Sequence, residues 1–428
     1  MDRLGRPVGH RHRQPAYERG AFLCHADHFR AGRQLELGAG GGGGHRGAGC
    51  GRGPGGPDPA AGPFFFWEDY GLVCCTSATG VNAILRDRRF GREVPPEKRA
   101  PVPAHLAPFY AVEAHSMLEL EPPRHTRLRG LVLRAFTSRR IAALEPEIAA
   151  LCDDLIAALP QGPFDLLRHF GQKLPVIVIA RLLGVPEAMS DDLLRWSNAM
   201  VGMYMAGRTR ETEDRAVAAT ESFVAFLRDY VRDRRARPAD DLITHLIAAE
   251  SDGERLTTDE MISTCILLLN AGHEATVHSL GNGVKTLLET RTPPAALLPD
   301  RIAGTVEELL RFDPPLHLFT RHAYAPVDVL GHGFDRGDEV GLLLAAANRD
   351  PRAWDRPARF DPARPEKVNL AFGGGLHFCV GAPLARLELQ IALPRLFARL
   401  PKLRLAGPPR YADVFHFHGL ERLMVRAD

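Results

Sequence analysis

Ten residues near the C-terminus have the residue types and spacing best suited to chemistry: Phe372-Gly-Gly-Gly-Leu-His-Phe-Cys-Val-Gly381. They set one cysteine, Cys379, in a glycine-rich loop that runs straight into a helical pattern, Ala-Pro-Leu-Ala-Arg-Leu-Glu-Leu, at 382–389. A cysteine at a helix N-terminus is favoured as thiolate, because free backbone N–H groups and the helix dipole stabilise negative charge there. Glycines beside it let a flat ligand approach the backbone closely. A thiolate held this way suits an axial ligand to haem iron. The plain alternative is a buried structural cysteine in a glycine turn.

Three other clusters stand out. Ala271-Gly272-His273-Glu274-Ala275-Thr276 lies midway along a helical pattern over 257–289. Glycine inside a helix is costly without a reason, and a ligand pressing against the helix would supply one. Glu308-Leu-Leu-Arg311 puts an acid and a base at i and i+3 on one helix face, just ahead of Phe-Asp-Pro-Pro. His125-Thr-Arg-Leu-Arg129 puts a histidine and an arginine at i and i+4. Taken alone, the last two read as a surface ion pair and a solvated basic face.

The spacing F-x-x-G-x-H-x-C-x-G, followed by A-P-L-A-R-L-E, resembles the haem-binding loop of the cytochrome P450 family, the haem-thiolate monooxygenases. The resemblance covers about residues 64–428, and the other clusters follow in the family's order. It implies haem b ligated by Cys379, in a loop that includes Phe372, Gly373, His377 and Gly381. It implies that His125, Arg129, Arg321 and His377 donate to the haem propionates, and that Ala271 and Gly272 cross above the iron. Glu274 aligns with the family's proton-relay acid. The usual alcohol beside it is replaced by Ala275, and Thr276 stands one residue on, about 100° around the helix. Some members that share this alanine are thought to use water or a substrate hydroxyl instead.

The same resemblance makes Glu308 and Arg311 parts of a buried network that ties their helix to the haem loop, with Arg359 matched to the third, basic partner. By family position, Leu267, Leu268, Leu318, Phe319 and Phe417 belong to the substrate pocket. The implied reaction inserts one oxygen atom from O2 into a small apolar organic substrate. Electrons would come from a ferredoxin or similar donor with its reductase. Two rivals use the same motifs. One is a peroxide-driven peroxygenase, against which Glu274 argues. The other is a haem-binding sensor without turnover, to which Ala275 and the unusual N-terminus lend weight.

The elements that must position these residues can be read from the pattern. Helical periodicity covers 122–136, 138–159, 163–183, 189–206, 211–235, 239–249 and 257–289, then 298–312 and 382–400. Strands are expected at 64–67, 72–76, 321–325, 327–330 and 339–344, and a long loop at 91–118. Helices far outnumber strands, which cluster at the two ends. The expected fold is therefore mostly α with a small β region, as in the cytochrome P450 fold, with a long central helix over the haem.

Residues 1–62 differ from the rest. They hold 17 of the 41 glycines and nine arginines against five acids, with almost no hydrophobic periodicity. Such a segment buries too little apolar surface to offset its ordering entropy. It is expected to be a disordered tail or an atypical N-terminus, with residues 63–428 forming the haem domain. A net charge of +2 gives no field suited to nucleic acid. No run of about 20 apolar residues suggests a membrane span, and no apolar stretch behind the N-terminus suggests a signal peptide. Seven scattered cysteines without a C-x-x-C pair fit a reducing cytoplasm.

Overall fold

The structure is a computed structural model that describes residues 62–68, 70–205, 208–249, 253–365, 368–412 and 417–428. The expectation for residues 1–62 falls almost wholly outside them. Among the described residues helices dominate, and strands are few and short.

The long helix runs over Thr258–Glu289, about 48 Å at 1.5 Å per residue. Its start is fixed by a capping box. Thr257 Oγ1 accepts the Glu260 N–H at 3.2 Å, and Glu260 Oε2 accepts the Thr257 N–H at 2.9 Å. Most of its residues are buried on all sides, which marks a helix through the interior rather than one on the surface. The helices Lys173–Leu183, Ser190–Val201, Arg210–Ala236, Ile302–Phe312 and Ala382–Arg399 pack around it. Their apolar faces form one large core, and a smaller core lies against the sheet.

That sheet runs, in order, Phe64–Trp67, Leu72–Cys75, Glu339–Leu343, Leu318–Ala323 and Phe90–Gly91. The pair Leu72–Cys75 and Glu339–Leu343 is parallel, with Val73 opposite Val340, and the other pairs are antiparallel. The first and last thirds of the chain thus meet in one sheet. This brings Arg321 beside residues 90–93 and the cysteine loop beside Leu85.

Several expected elements divide. The helix expected over 138–159 is two, Ser138–Ala143 and Glu145–Ala157, and Pro146 occupies the first turn of the second, where its missing N–H costs nothing. The span 163–183 opens with a two-residue strand, Phe164–Asp165, and a π turn before the helix proper at Lys173. The loop at 91–118 contains a short helix, Ala107–Glu113.

Candidate active site

The cysteine loop owes its shape to two glycines. Gly373 and Gly375 have φ of +69° and +65°, where L side chains are strained. A Cβ on Gly375 would also strike the Leu85 carbonyl. The Cys379 N–H donates to the Phe372 carbonyl at 3.1 Å, closing the loop. Desolvation of the half-buried Cys379 pushes its thiol pKa up. The Gly381 and Ala382 N–H groups, which point at the sulfur, and then the charges of Arg129 and Arg386 pull it down. Gly381 and Ala382 open the helix Ala382–Arg399, so the sulfur lies at that helix's N-terminus. Arg386 is held by Glu307 and stacks on Phe372, 4.5 Å from its ring centroid.

Around the loop is a group rich in donors and poor in acids. Arg129 Nη2 donates to the Phe378 carbonyl at 2.6 Å. The rings of His125 and His377 lie 4.4 Å apart. His377 Nε2 meets Glu121 Oε1 at 2.9 Å, and the same oxygen accepts the Arg92 N–H at 2.7 Å. His125 Nδ1 is buried with no partner, and burial followed by the charges of His377 and Arg129 holds the ring down to about 4. Arg321 is 3% exposed. Its Nη1 reaches only the neighbouring Thr320 carbonyl, and no carboxylate lies at ion-pair distance among the described residues. Burial pushes its pKa down to about 9. A buried guanidinium without a counter-charge is costly. The haem-binding expectation fits this arrangement, because two propionates would supply the charge that Arg321 and His125 lack.

The long helix presents Ala271 exposed, between buried Asn270 and half-buried Gly272, and Ala275, one turn on, half-buried. This stretch therefore borders open space in the middle of an otherwise enclosed helix. Gly272 faces elsewhere: a Cβ on it would meet Ile179 Cδ1 at 3.1 Å. Its missing side chain leaves room for Ile179 and so serves helix packing. Thr276 Oγ1 donates to the Gly272 carbonyl at 2.8 Å, so its hydroxyl is turned back onto the helix. Glu274 Oε2 lies 3.4 Å from His278 Nε2, and Oε1 lies 3.9 Å from His273 Nδ1. Burial opposes ionisation of Glu274, but the His278 interaction and both imidazoles outweigh it and hold its pKa below the ordinary range. Sequence reasoning missed His278, although the spacing Glu-x-x-x-His was a usable signal. Gly419 leaves room for it, since a Cβ there would overlap the imidazole.

Glu308 and Arg311 are 3% and 1% exposed and pair through two bonds, at 2.7 and 2.8 Å. Their third partner is Arg364, with Nε 3.0 Å from Glu308 Oε2. Arg359 was the expected partner and is not. Its side chain is exposed, and only its carbonyl takes part, accepting from Arg311 and Arg364. The Asp361 N–H donates to Glu308 at 2.9 Å, which carries the chain past Arg359 and lays Arg364 against the acid. Of the expected pocket residues, Leu267, Leu318 and Phe319 are half-buried. Leu268 and Phe417 are buried, and Leu268 belongs to the core rather than to a wall. Phe319 packs on the cysteine loop at Gly373.

A mostly helical fold, a cysteine at a helix N-terminus and a donor-rich cradle beside it define a haem-thiolate protein. The profile of the family described as Cytochrome P450 matches residues 302–401. The chain is 42% identical over 317 residues to Cytochrome P450 107B1 of Saccharopolyspora erythraea, covering 72% of this chain and 76% of that one. It is 42% identical over 319 residues to the vitamin D(3) 25-hydroxylase of Pseudonocardia autotrophica, covering 73% and 75%. The solved structure of P450BioI in complex with hexadec-9Z-enoic acid ligated acyl carrier protein superposes with a TM-score of 0.81 at 33% identity, covering 86% and 96%. The chain therefore belongs to the cytochrome P450 family. It is a P450-type monooxygenase, with haem b whose iron takes a cysteine ligand.

Proposed function

We propose that residues 63–428 form the haem domain of an enzyme that inserts one oxygen atom from O2 into an apolar organic substrate, with Cys379 as the ligand to iron. The observation that carries this reading is the Cys379 sulfur facing the N–H groups of Gly381 and Ala382 at a helix N-terminus. Bound haem supplies oxygen activation and atom transfer. The chain's own residues do the rest.

Arg321, His125 and Arg129 hold the propionates, and His377 braces this side through Glu121. Glu308, Arg311 and Arg364 hold the loop that leads to Phe372. Ala271 and Ala275 leave an apolar surface over the reacting carbon. Glu274 carries protons inward, with His278 Nε2 as its neighbour on the outer side. Because Thr276 Oγ1 is committed to the Gly272 carbonyl, ordered water or a substrate hydroxyl takes the part of the missing alcohol at 275.

Leu376 and Phe378 are exposed next to Cys379 and offer a docking face for a small electron carrier such as a ferredoxin, served by its reductase. Among the described residues no helix is long and apolar enough to cross a membrane, in keeping with a cytoplasmic enzyme. The test is turnover under 18O2 with a surrogate ferredoxin and reductase. One labelled oxygen per product supports the reading. Tight ligand binding with no oxidised product would favour a sensor, and product formed only from added peroxide would favour a peroxygenase.

A further inference from the structure

Away from the cysteine loop, two histidines and an acid converge where the C-terminal segment meets the chain that follows the helix Ile302–Phe312. Asp313, His317 and His418 each offer one ligand atom, and these atoms all lie within 4.8 Å of one another. Asp313 Oδ1 is 3.1 Å from His418 Nε2. Two atoms that each bind one metal ion at about 2.1 Å stand roughly 3.0 to 3.4 Å apart, so this pair already has the spacing of neighbouring ligands. The rings of His317 and His418 stack with centroids 3.9 Å apart. Among the described residues the His317 ring makes no hydrogen bond.

The backbone around the cluster is held from two directions. Leu316 bridges Phe417 in antiparallel sense, and the His418 N–H donates to the Pro315 carbonyl at 2.7 Å. Asn282, on the long helix, donates to the carbonyls of His418 and Asp313 at 2.9 and 3.3 Å. The second carboxylate oxygen of Asp313 takes the Tyr411 hydroxyl and Lys285 Nζ, the latter at 3.3 Å. Bonds of this kind orient a ligating carboxylate, and they leave Oδ1 to an ion. The His418 side chain is 23% exposed, so solutes reach the cluster. Lys285 is the opposing feature. Its charge repels a cation, offset in part by Glu289 at 3.5 Å.

We propose that Asp313, His317 and His418 form a second metal site, separate from the haem, that takes a divalent transition-metal ion such as Zn2+. Two imidazoles and one carboxylate suit that ion, and water fills the fourth position. The ion takes the place of the proton that lies between His418 Nε2 and Asp313 Oδ1. Stacked rings point their lone pairs side by side, so His317 tilts out of the stack to meet the ion. It is the ring with no hydrogen bond to lose. The bound ion ties the C-terminal segment to the chain at 313–317. Gly419, which leaves room for His278 beside Glu274, follows directly on the tied residue His418.

The test is calorimetric titration of the haem-loaded full chain with Zn2+, followed by X-ray absorption at the zinc edge, which haem iron does not obscure. Wild type is expected to bind the ion saturably, with nitrogen and oxygen neighbours that include two imidazoles. His317→Ala leaves the Asp313–His418 pair intact and lowers affinity by at least about tenfold. Lys285→Met removes the repelling charge and raises affinity several-fold. Zn2+ raises the melting temperature of wild type and not that of His317→Ala. The sequence holds other histidines, among them His10, His12, His25 and His28. Binding that survives His317→Ala unchanged belongs to such residues and overturns the proposal. Sulfur neighbours at the zinc edge, a Lys285→Met protein that binds no more tightly, or a wild type without saturable binding overturn it equally. If Lys285→Met does not fold, wild type against His317→Ala decides alone.

Discussion

Glu274 and His278 stand one turn apart on the long helix, with Oε2 and Nε2 3.4 Å from each other. This contact keeps a buried carboxylate ionised, against the desolvation that would otherwise neutralise it. Because the folded pKa is depressed, the contribution of Glu274 is present above its ordinary value of 4.5 and lost as pH falls through the lower folded value. Wild-type turnover should therefore hold its rate well into acid. In His278→Ala burial acts with less opposition, and the acid limb of the kcat profile is expected to move up by about one pH unit or more. An unmoved limb would remove His278 from the proton path.

Ala275→Thr restores the alcohol that the family usually places beside the acid. The substitution is expected to raise product formed per reducing equivalent and lower the peroxide released. The measurement is product and peroxide yield at equal NADPH consumption. An unchanged ratio would show that water or substrate already fills this role completely.

Arg364 and Arg359 separate a buried role from an exposed one. Arg364→Ala leaves Glu308 short of a partner and removes one donor each from the carbonyls of residues 355, 356 and 359, of which 356 and 359 keep another donor. The expected loss is about 3 kcal/mol in unfolding free energy, with weaker haem retention. Arg359→Ala should fall within about 0.5 kcal/mol of wild type. Denaturant titration of the two variants checks the assignment, and the reverse order would refute it.

Arg321 predicts opposite signs in two states. Without haem it is a buried charge lacking a counter-charge, so Arg321→Met should stabilise the haem-free protein or leave it unchanged. With haem bound the same change removes a charge-assisted bond to a propionate and should speed haem loss. Melting of both forms and the rate of haem transfer to apomyoglobin give the two readouts. Destabilisation of the haem-free protein would mean that Arg321 serves the fold instead.

What could be read from the sequence was set by how tightly the chemistry constrains residue type and spacing. Cys379 was legible because a thiolate at a helix N-terminus with close backbone approach needs its glycines at fixed positions. The start of the long helix was legible because Thr257 and Glu260 satisfy each other's backbone N–H groups. Arg364 was not, because two arginines five apart share one loop, and which of them reaches Glu308 depends on the backbone after Arg356, whose φ is +42°. His278 was hidden because Glu-x-x-x-His is an ordinary solvated pair until Gly419, from the far end of the chain, encloses it. The helix Ala107–Glu113 spans seven residues with Pro108 in its first turn, too short for periodicity to show. The C-terminal strands were missed for a related reason. Met424–Arg426 is three residues long and pairs with Phe164–Asp165 and Arg404–Leu405, so its partners are not local.

The central claim is that Cys379 holds the haem iron as a thiolate. The most direct test is the absorption spectrum of the reduced protein under carbon monoxide, for wild type and Cys379→Ser. Wild type is expected to show the strongly red-shifted Soret band of thiolate-ligated haem, and the variant to lose it. A wild-type band typical of histidine- or thiol-ligated haem, or a Cys379→Ser protein that keeps the red-shifted band, would contradict the assignment.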